Sequence, residues 1–361
     1  MRRLLALAAA LGLAAFLPEG NQDKVEAGQP AIASGYKVLE PISHGRLVIF
    51  PVVAASVHDT RQFLTLDEGL TSGEVVVTEA GSIRPLIRRP RPRPIPQQDA
   101  EVNRLVLVNN SKRPLLLLAG EIVTGGKQDR VVGKDRIIPP NSDPVDLSVF
   151  CVEPGRWAHK TANFFSMEAQ MAQPSVRAKA MGDKDQGKVW EEVRKSNDMR
   201  MATAPASVRA EVGNTSSYAT VNDHQEMKRQ VDEVAGALLT SYDRVLRQLR
   251  AQNAVGVVVG VNGRIIWADL FASTSLLEKY WAKLVRSYAA EALSSYGGKG
   301  STGVKQAQAF LDEWDGNRQV VETEPGVFRH TEISGSGYRA FELTSLLPKT
   351  GFDVHLSKMV E

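Results

Sequence analysis

Residues 255–267 constrain the fold more than any other stretch of the chain. Val255-Gly256-Val257-Val258-Val259-Gly260-Val261 is uncharged throughout, Asn262-Gly263 follows, and Arg264-Ile265-Ile266-Trp267 resumes the apolar character. Asn-Gly readily supplies the two left-handed residues of a type I′ turn, whose twist matches that of paired strands. An antiparallel hairpin is therefore predicted here. Elsewhere the continuous apolar runs at 104–108 and 114–118 predict strands covered on both faces.

Candidate strands are present in number. Residues 37–39 and 46–50 flank a His44-Gly45 turn, 73–79 carries a glutamate near each end, and 104–108 and 114–118 lie either side of Asn109-Asn110-Ser111. Three more are expected near 326–333, 337–344 and 352–357. Met227, Val231, Val234, Leu238, Tyr242, Val245 and Leu249 recur every three or four residues, predicting an amphipathic helix capped by Asn222-Asp223. Ser275 and Glu278 have capping-box spacing and open a second helix, burying Leu276, Tyr280, Trp281, Leu284 and Tyr288 and ending at Gly297-Gly298. Residues 186–194 read as helix, 203–217 as loop, and about 304–314 as a shorter helix. Hairpins interrupted by grouped helices, without β-α-β alternation, predict an α+β fold with a mainly antiparallel sheet. One domain is expected from about 34 to 358, with 160–250 as a helical insertion. Division into two domains near 250 is the alternative.

The N-terminus carries an address. Arg2 and Arg3 precede an uncharged run of 14 residues, 4–17, which is the order of a secretory signal peptide and too short to span a bilayer. Residues 1–27 are expected to be removed after Ala27, with cleavage after Ala15 as the alternative, giving a secreted or periplasmic protein that meets a membrane only if this segment stays uncleaved. A net charge of +3 gives no argument for nucleic acid. Cys151 is the single cysteine, so no internal disulfide can form. Its neighbours Val149, Phe150 and Val152 make it read as a small core residue of a strand rather than a nucleophile served by His159.

Several familiar chemistries are absent. Gly297 to Gly303 superficially resembles a phosphate loop, but Lys299 precedes the last glycines and a helix rather than a strand comes before it. Gly256 to Gly263 lacks the spacing of a dinucleotide fingerprint. The six histidines, His44, His58, His159, His224, His330 and His355, show no pair at zinc-binding spacing. No metal site and no cofactor is named by the sequence, although scattered carboxylates leave calcium or magnesium open. Arg84, Arg88, Arg89, Arg91 and Arg93 alternate with prolines in an extended segment, 84–96, which reads as a solvated connector before it reads as an anion-binding arm.

What remains is concentrated in LLLLAGEIVTGGKQDRVVGKDRIIPPNSDPVDLSVFCVEPGRW, residues 115–157. Glu121 stands where an apolar strand ends, and Gly125-Gly126 lets the backbone approach a ligand. Lys127 and Arg130 suit phosphate or carboxylate, with Gln128 and Asp129 between them, Arg156 nearby and Trp157 able to stack on a ring. Glu121 and Glu153 form the candidate general acid–base pair. Glu68 and Glu79 add to the charge. Two readings stand side by side: a polar cleft for a small hydroxyl-rich or anionic ligand, with hydrolysis as its best-supported chemistry, or a salt-bridge network fixing two hairpins in a non-catalytic envelope or protein-interaction domain.

TLDEGLTSGEVVVTE at 65–79, LAGEIVTGGKQDRVV at 118–132 and PVDLSVFCVEPGRW at 144–157 resemble the domain family named for its association with ADP-ribosylglycohydrolase and rhodanese-phosphatase superfamily proteins. GVVVGVNGRIIWADLF and KYWAKLVRSYAAEAL are similar to it as well, so the likeness covers roughly 36–294. The resemblance implies a stand-alone α+β domain and, through the company the family keeps, nucleotide- or ADP-ribose-derived ligands. It transfers no catalytic residue.

Overall fold

A computed structural model describes residues 35–79, 105–155, 163–249, 252–298 and 300–361. The signal-peptide segment 1–27, the Arg-Pro segment 84–96, Arg156, Trp157 and His159 lie outside the described residues. The fold is α+β and mainly antiparallel. The hairpin of 254–271 lies inside a large sheet ordered 36–38, 47–54, 254–261, 264–271, 353–360, 338–345, 328–335 and 316–324, with Ile42–His44 also paired to Leu47–Ala54. Asn262 and Gly263 both have positive φ, 53° and 75°, as a type I′ turn requires.

Both faces of this hairpin are covered. Val257, Val259, Trp267 and Phe271 pack under the helices Gln225–Leu249 and Thr274–Leu293. Val258, Ala268 and Leu270 face Ala307 and Leu311 of the helix Val304–Asp312, with Trp314 just beyond it. Lys358 is fully buried beneath that helix and donates to the carbonyls of Phe310 and Glu313, with Tyr338 stacked 3.9 Å away. A cation at a helix C-terminus suits the orphan carbonyls there.

A second sheet runs 145–147, 105–109, 75–79, 163–171, 121–125, 130–132 and 149–151. A small third one joins 136–138 and 115–117 to 64–65. Leu64, Leu66, Val77, Leu107, Leu115 and Val123 fill the space between these two. On the other side Ile122, Val131 and Val152 meet Val176, Val189 and Val193 of the helical segment.

Several local expectations shift. The region 160–250 opens with the strand Asn163–Met171, which belongs to the second sheet, before its helices begin at Pro174. Residues 206–212 are helical where a loop was expected. Asn222 and Asp223 end a short helix, Tyr218–Asp223, instead of capping the long one, which starts at Gln225. The cap of the helix Thr274–Leu293 is Ser273, whose hydroxyl accepts from the Leu276 amide at 3.1 Å, so Ser275 is not the cap. That helix stops at Leu293 and does not reach Gly297. Capping depends on backbone angles at a single residue, and serines two positions apart offer equivalent chemistry. The strand Gly316–Glu324, an outer edge with the pattern NRQVVETE, has too few apolar residues for periodicity to reveal.

Candidate functional site

The 115–157 block places its charged groups in two interior networks. Gly120 adopts φ +94°, and an added Cβ would stand 2.7 Å from Arg177, so only glycine allows this turn and this neighbour. Glu121 follows. Its Oε2 accepts from the Leu118 amide at 2.8 Å, and its Oε1 accepts from Lys283 Nζ at 2.7 Å. Lys283, on the helix Thr274–Leu293, also reaches Asp67 at 2.6 Å. Glu121 and Lys283 are both buried. Burial opposes the Lys283 charge, but Glu121 and Asp67 outweigh it and raise its pKa.

Beside this pair runs a chain of four charges with no exposed surface. Asp135 accepts from the Ala119 amide at 2.7 Å and lies 2.6 Å from His355 Nδ1. His355 Nε2 is 3.3 Å from Asp269, which receives both terminal nitrogens of Arg177 at 2.9 and 3.0 Å. The Tyr288 hydroxyl donates to the same carboxylate at 2.5 Å, and the Arg177 guanidinium lies 4.5 Å from the Trp267 ring. Two cations and two anions alternate along the row. Burial alone would lower the His355 pKa, yet Asp135 and Asp269 overcome it and push it up to about 9. This row ties the Ala119–Glu121 turn to the large sheet.

The second network closes the Gly125–Arg130 turn. The Lys127 amide donates to Glu79 Oε1 at 2.7 Å, and Gly126 packs on Phe164 where a side chain would collide. Gln128 Nε2 donates to the Glu153 carbonyl at 3.1 Å, and the Asp129 amide to Glu153 Oε2 at 3.3 Å. Asp129 Oδ1 accepts from the Gly125 amide at 3.1 Å, and Arg130 donates to the Asp129 carbonyl at 3.3 Å. Gln128, Asp129, Arg130 and Glu153 are all buried, while Lys127 is half-buried. Glu121 and Glu153 thus sit in different networks and share no partner among the described contacts. Cys151 is buried between them in sequence, its backbone gripped in both directions by Gln186 at 2.8 and 2.9 Å, and burial pushes its thiol pKa up.

An open cavity of about 290 Å³ lies against the other face of the same block. Gly133, Lys134, Ser148 and Phe150 form one wall, Met181 and Lys184 the second, and Glu322, His330, Glu332 and Phe341 of the large sheet the third. A bulge at Val321 turns the edge strand, because Val320 faces Thr331 and Glu322 faces His330 with one residue left between. Lys134 and Arg136 both pair with Glu322, the latter at 2.9 Å, and Lys184 pairs with Glu332. Burial works against the Glu322 charge, but Lys134 and Arg136 hold its carboxyl below the ordinary range.

His330 stands apart from this balance. It is only 1% exposed, and neither ring nitrogen has a hydrogen-bond partner. Burial lowers its pKa, so at neutral pH the ring is uncharged and presents one donor and one acceptor. Buried polar atoms are ordinarily satisfied, and orphaned ones call for a missing partner. Nothing adjacent in sequence marks His330; only the folding of distant strands reveals it. Among the described residues no group of three or more His, Cys, Asp or Glu could hold a metal ion, and no helix is long and apolar enough to cross a membrane.

A large antiparallel sheet clasped to a smaller one by buried ion pairs, with helices on its faces and a polar cavity at the join, defines an α+β domain that fills nearly the whole chain. Residues 35–359 match the model of the ARG and Rhodanese-Phosphatase-superfamily-associated Protein domain, and the chain belongs to that family. No curated protein and no solved structure matches it.

Proposed function

We propose that the chain is an exported ligand-binding domain whose ligand is a small hydroxyl-rich molecule, a sugar or nucleotide-derived sugar, held in the cavity at His330. The observation that carries this reading is the pair of unpartnered, buried nitrogens of His330 at the cavity wall. A neutral imidazole offers a hydroxyl both a donor and an acceptor. Lys134, Glu322, Lys184 and Glu332 add cations and carboxylates in equal number, which suits uncharged hydroxyls or a ligand bearing one anionic group. Phe150 and Phe341 supply faces for a ring. The family's named association with ARG proteins makes ADP-ribose-like compounds natural first candidates.

Binding, rather than catalysis by Glu121 and Glu153, is what this geometry supports, since neither carboxylate lines the cavity. The export reading rests on Arg2-Arg3 and the apolar run 4–17, and N-terminal sequencing of the mature protein tests it. The binding reading is tested by thermal-shift screening against sugars, nucleotides and ADP-ribose, with His330→Phe as the comparison. A hit should weaken by ~10-fold or more in the variant, the cost of one or two lost hydrogen bonds. An absence of hits, or one indifferent to His330→Phe, defeats the reading.

A further inference from the structure

A second cavity, of about 150 Å³, lies between the long helix Gln225–Leu249, the helix Thr274–Leu293 and the end of the strand Asn163–Met171. Its polar groups carry both signs. Arg286 and Lys228 supply cationic donors, while Asp232 and Gln170 supply acceptors. Arg286 Nε donates to Asp232 Oδ1 at 2.7 Å, which fixes both side chains. That contact leaves free the second Asp232 oxygen, the Nη2 of Arg286 and the Lys228 ammonium, none of which has a partner among the described residues. The Gln170 Oε1 is buried and unpartnered. Met171, Val231 and Ala290 supply the apolar part of the wall.

We propose that this cavity binds a small α-amino acid in its zwitterionic form. The carboxylate lies against Arg286 and Lys228, the ammonium against Asp232 and Gln170, and a short side chain against Met171 and Val231. The assignment follows from the presence of both charges and from size together. A bare anion would leave the second Asp232 oxygen facing it and Gln170 still orphaned, and a bare amine would leave the Lys228 ammonium and the Nη2 of Arg286 unmatched. A cavity near this volume encloses about six non-hydrogen atoms, judged by the benzene that fills a void of similar size. L-Alanine has that many.

Isothermal titration calorimetry of the full chain tests the proposal with L-alanine, acetate and ethylammonium as separate probes. L-Alanine should bind ~10-fold or more tightly than either single-charge probe, since each lacks one charge-assisted contact. Asp232→Asn should weaken L-alanine by ~10-fold and leave acetate no weaker. Lys228→Ala, at an exposed side chain with no partner whose loss could disturb folding, should weaken L-alanine and acetate alike. Acetate binding as tightly as L-alanine overturns the proposal in favour of a plain anion site. No detectable L-alanine binding overturns it outright, as does L-alanine binding untouched by Lys228→Ala.

Discussion

The interior row Asp135–His355–Asp269–Arg177 and the cavity at His330 each combine carboxylates, cations and a buried histidine. The two histidines differ in company. His355 lies between two carboxylates that hold it charged, whereas His330 has no partner for either nitrogen and is driven toward the neutral form. One environment pairs each charge with an opposite one, and its unbonded Arg177 Nε and His355 Nε2 belong to residues that line neither cavity described above. The other leaves the hydrogen-bonding capacity of a cavity-lining residue unmet. Charge density alone therefore does not mark a site; unmet polar capacity next to a cavity does.

The sharpest way to break this comparison is to unbalance the row. Asp269→Ala leaves Arg177 and His355 buried without their shared carboxylate, so urea denaturation should show a loss of ~3–5 kcal/mol. A loss below ~1 kcal/mol would mean that the row is not the clasp between the sheets. A second test uses pH. His355 rises from 6.5 to about 9 on folding, so the stability it contributes is fully present below about pH 6.5 and disappears as pH rises through 9. Its size is on the order of 3 kcal/mol. Lys358, lowered from 10.5 to about 8, acts in the opposite direction at alkaline pH, so the useful quantity is the difference between wild type and His355→Gln. That difference should be largest near pH 6 and shrink towards pH 9; a constant gap would disprove a charged His355.

Glu121→Gln should cost less, about 2 kcal/mol, because Asp67 still partners Lys283 after the change. It should leave ligand binding at the His330 cavity unaltered. A binding loss without a stability loss would return Glu121 to the site that its position in the sequence suggested.

The hairpin at Asn262-Gly263, the α+β class and the amphipathic helices were legible because each depends on local pattern. Asn-Gly fixes a turn, and a stripe at helical spacing fixes a buried face. The 115–157 block was also legible as unusual, but not the direction in which its side chains point. Glu121 and Arg130 face inward, while Lys134 and Phe150, a few residues along the same block, face the cavity. The partners that decide this are remote: Arg177 meets Asp269 across 92 positions, and His355 meets Asp135 across 220. No spacing rule reaches that far. His330 was counted among six unpaired histidines, and only the fold separates it from the rest.

The smallest stability effect is the most discriminating one. His330→Phe keeps a ring in place while removing two buried nitrogens that have no partner. Removing unsatisfied polar atoms costs no hydrogen bond, and the adjoining cavity gives the slightly larger ring room. Stability should therefore stay within ~1 kcal/mol of wild type, or rise, while binding of the cavity's ligand falls. This is the inverse of the Glu121→Gln outcome, where stability falls and binding stays. If His330→Phe instead destabilised the fold as much as Glu121→Gln, His330 would have a structural partner in solution. The contrast between a charge-paired interior and an unpaired histidine at the cavity wall would then fail at the residue on which it rests.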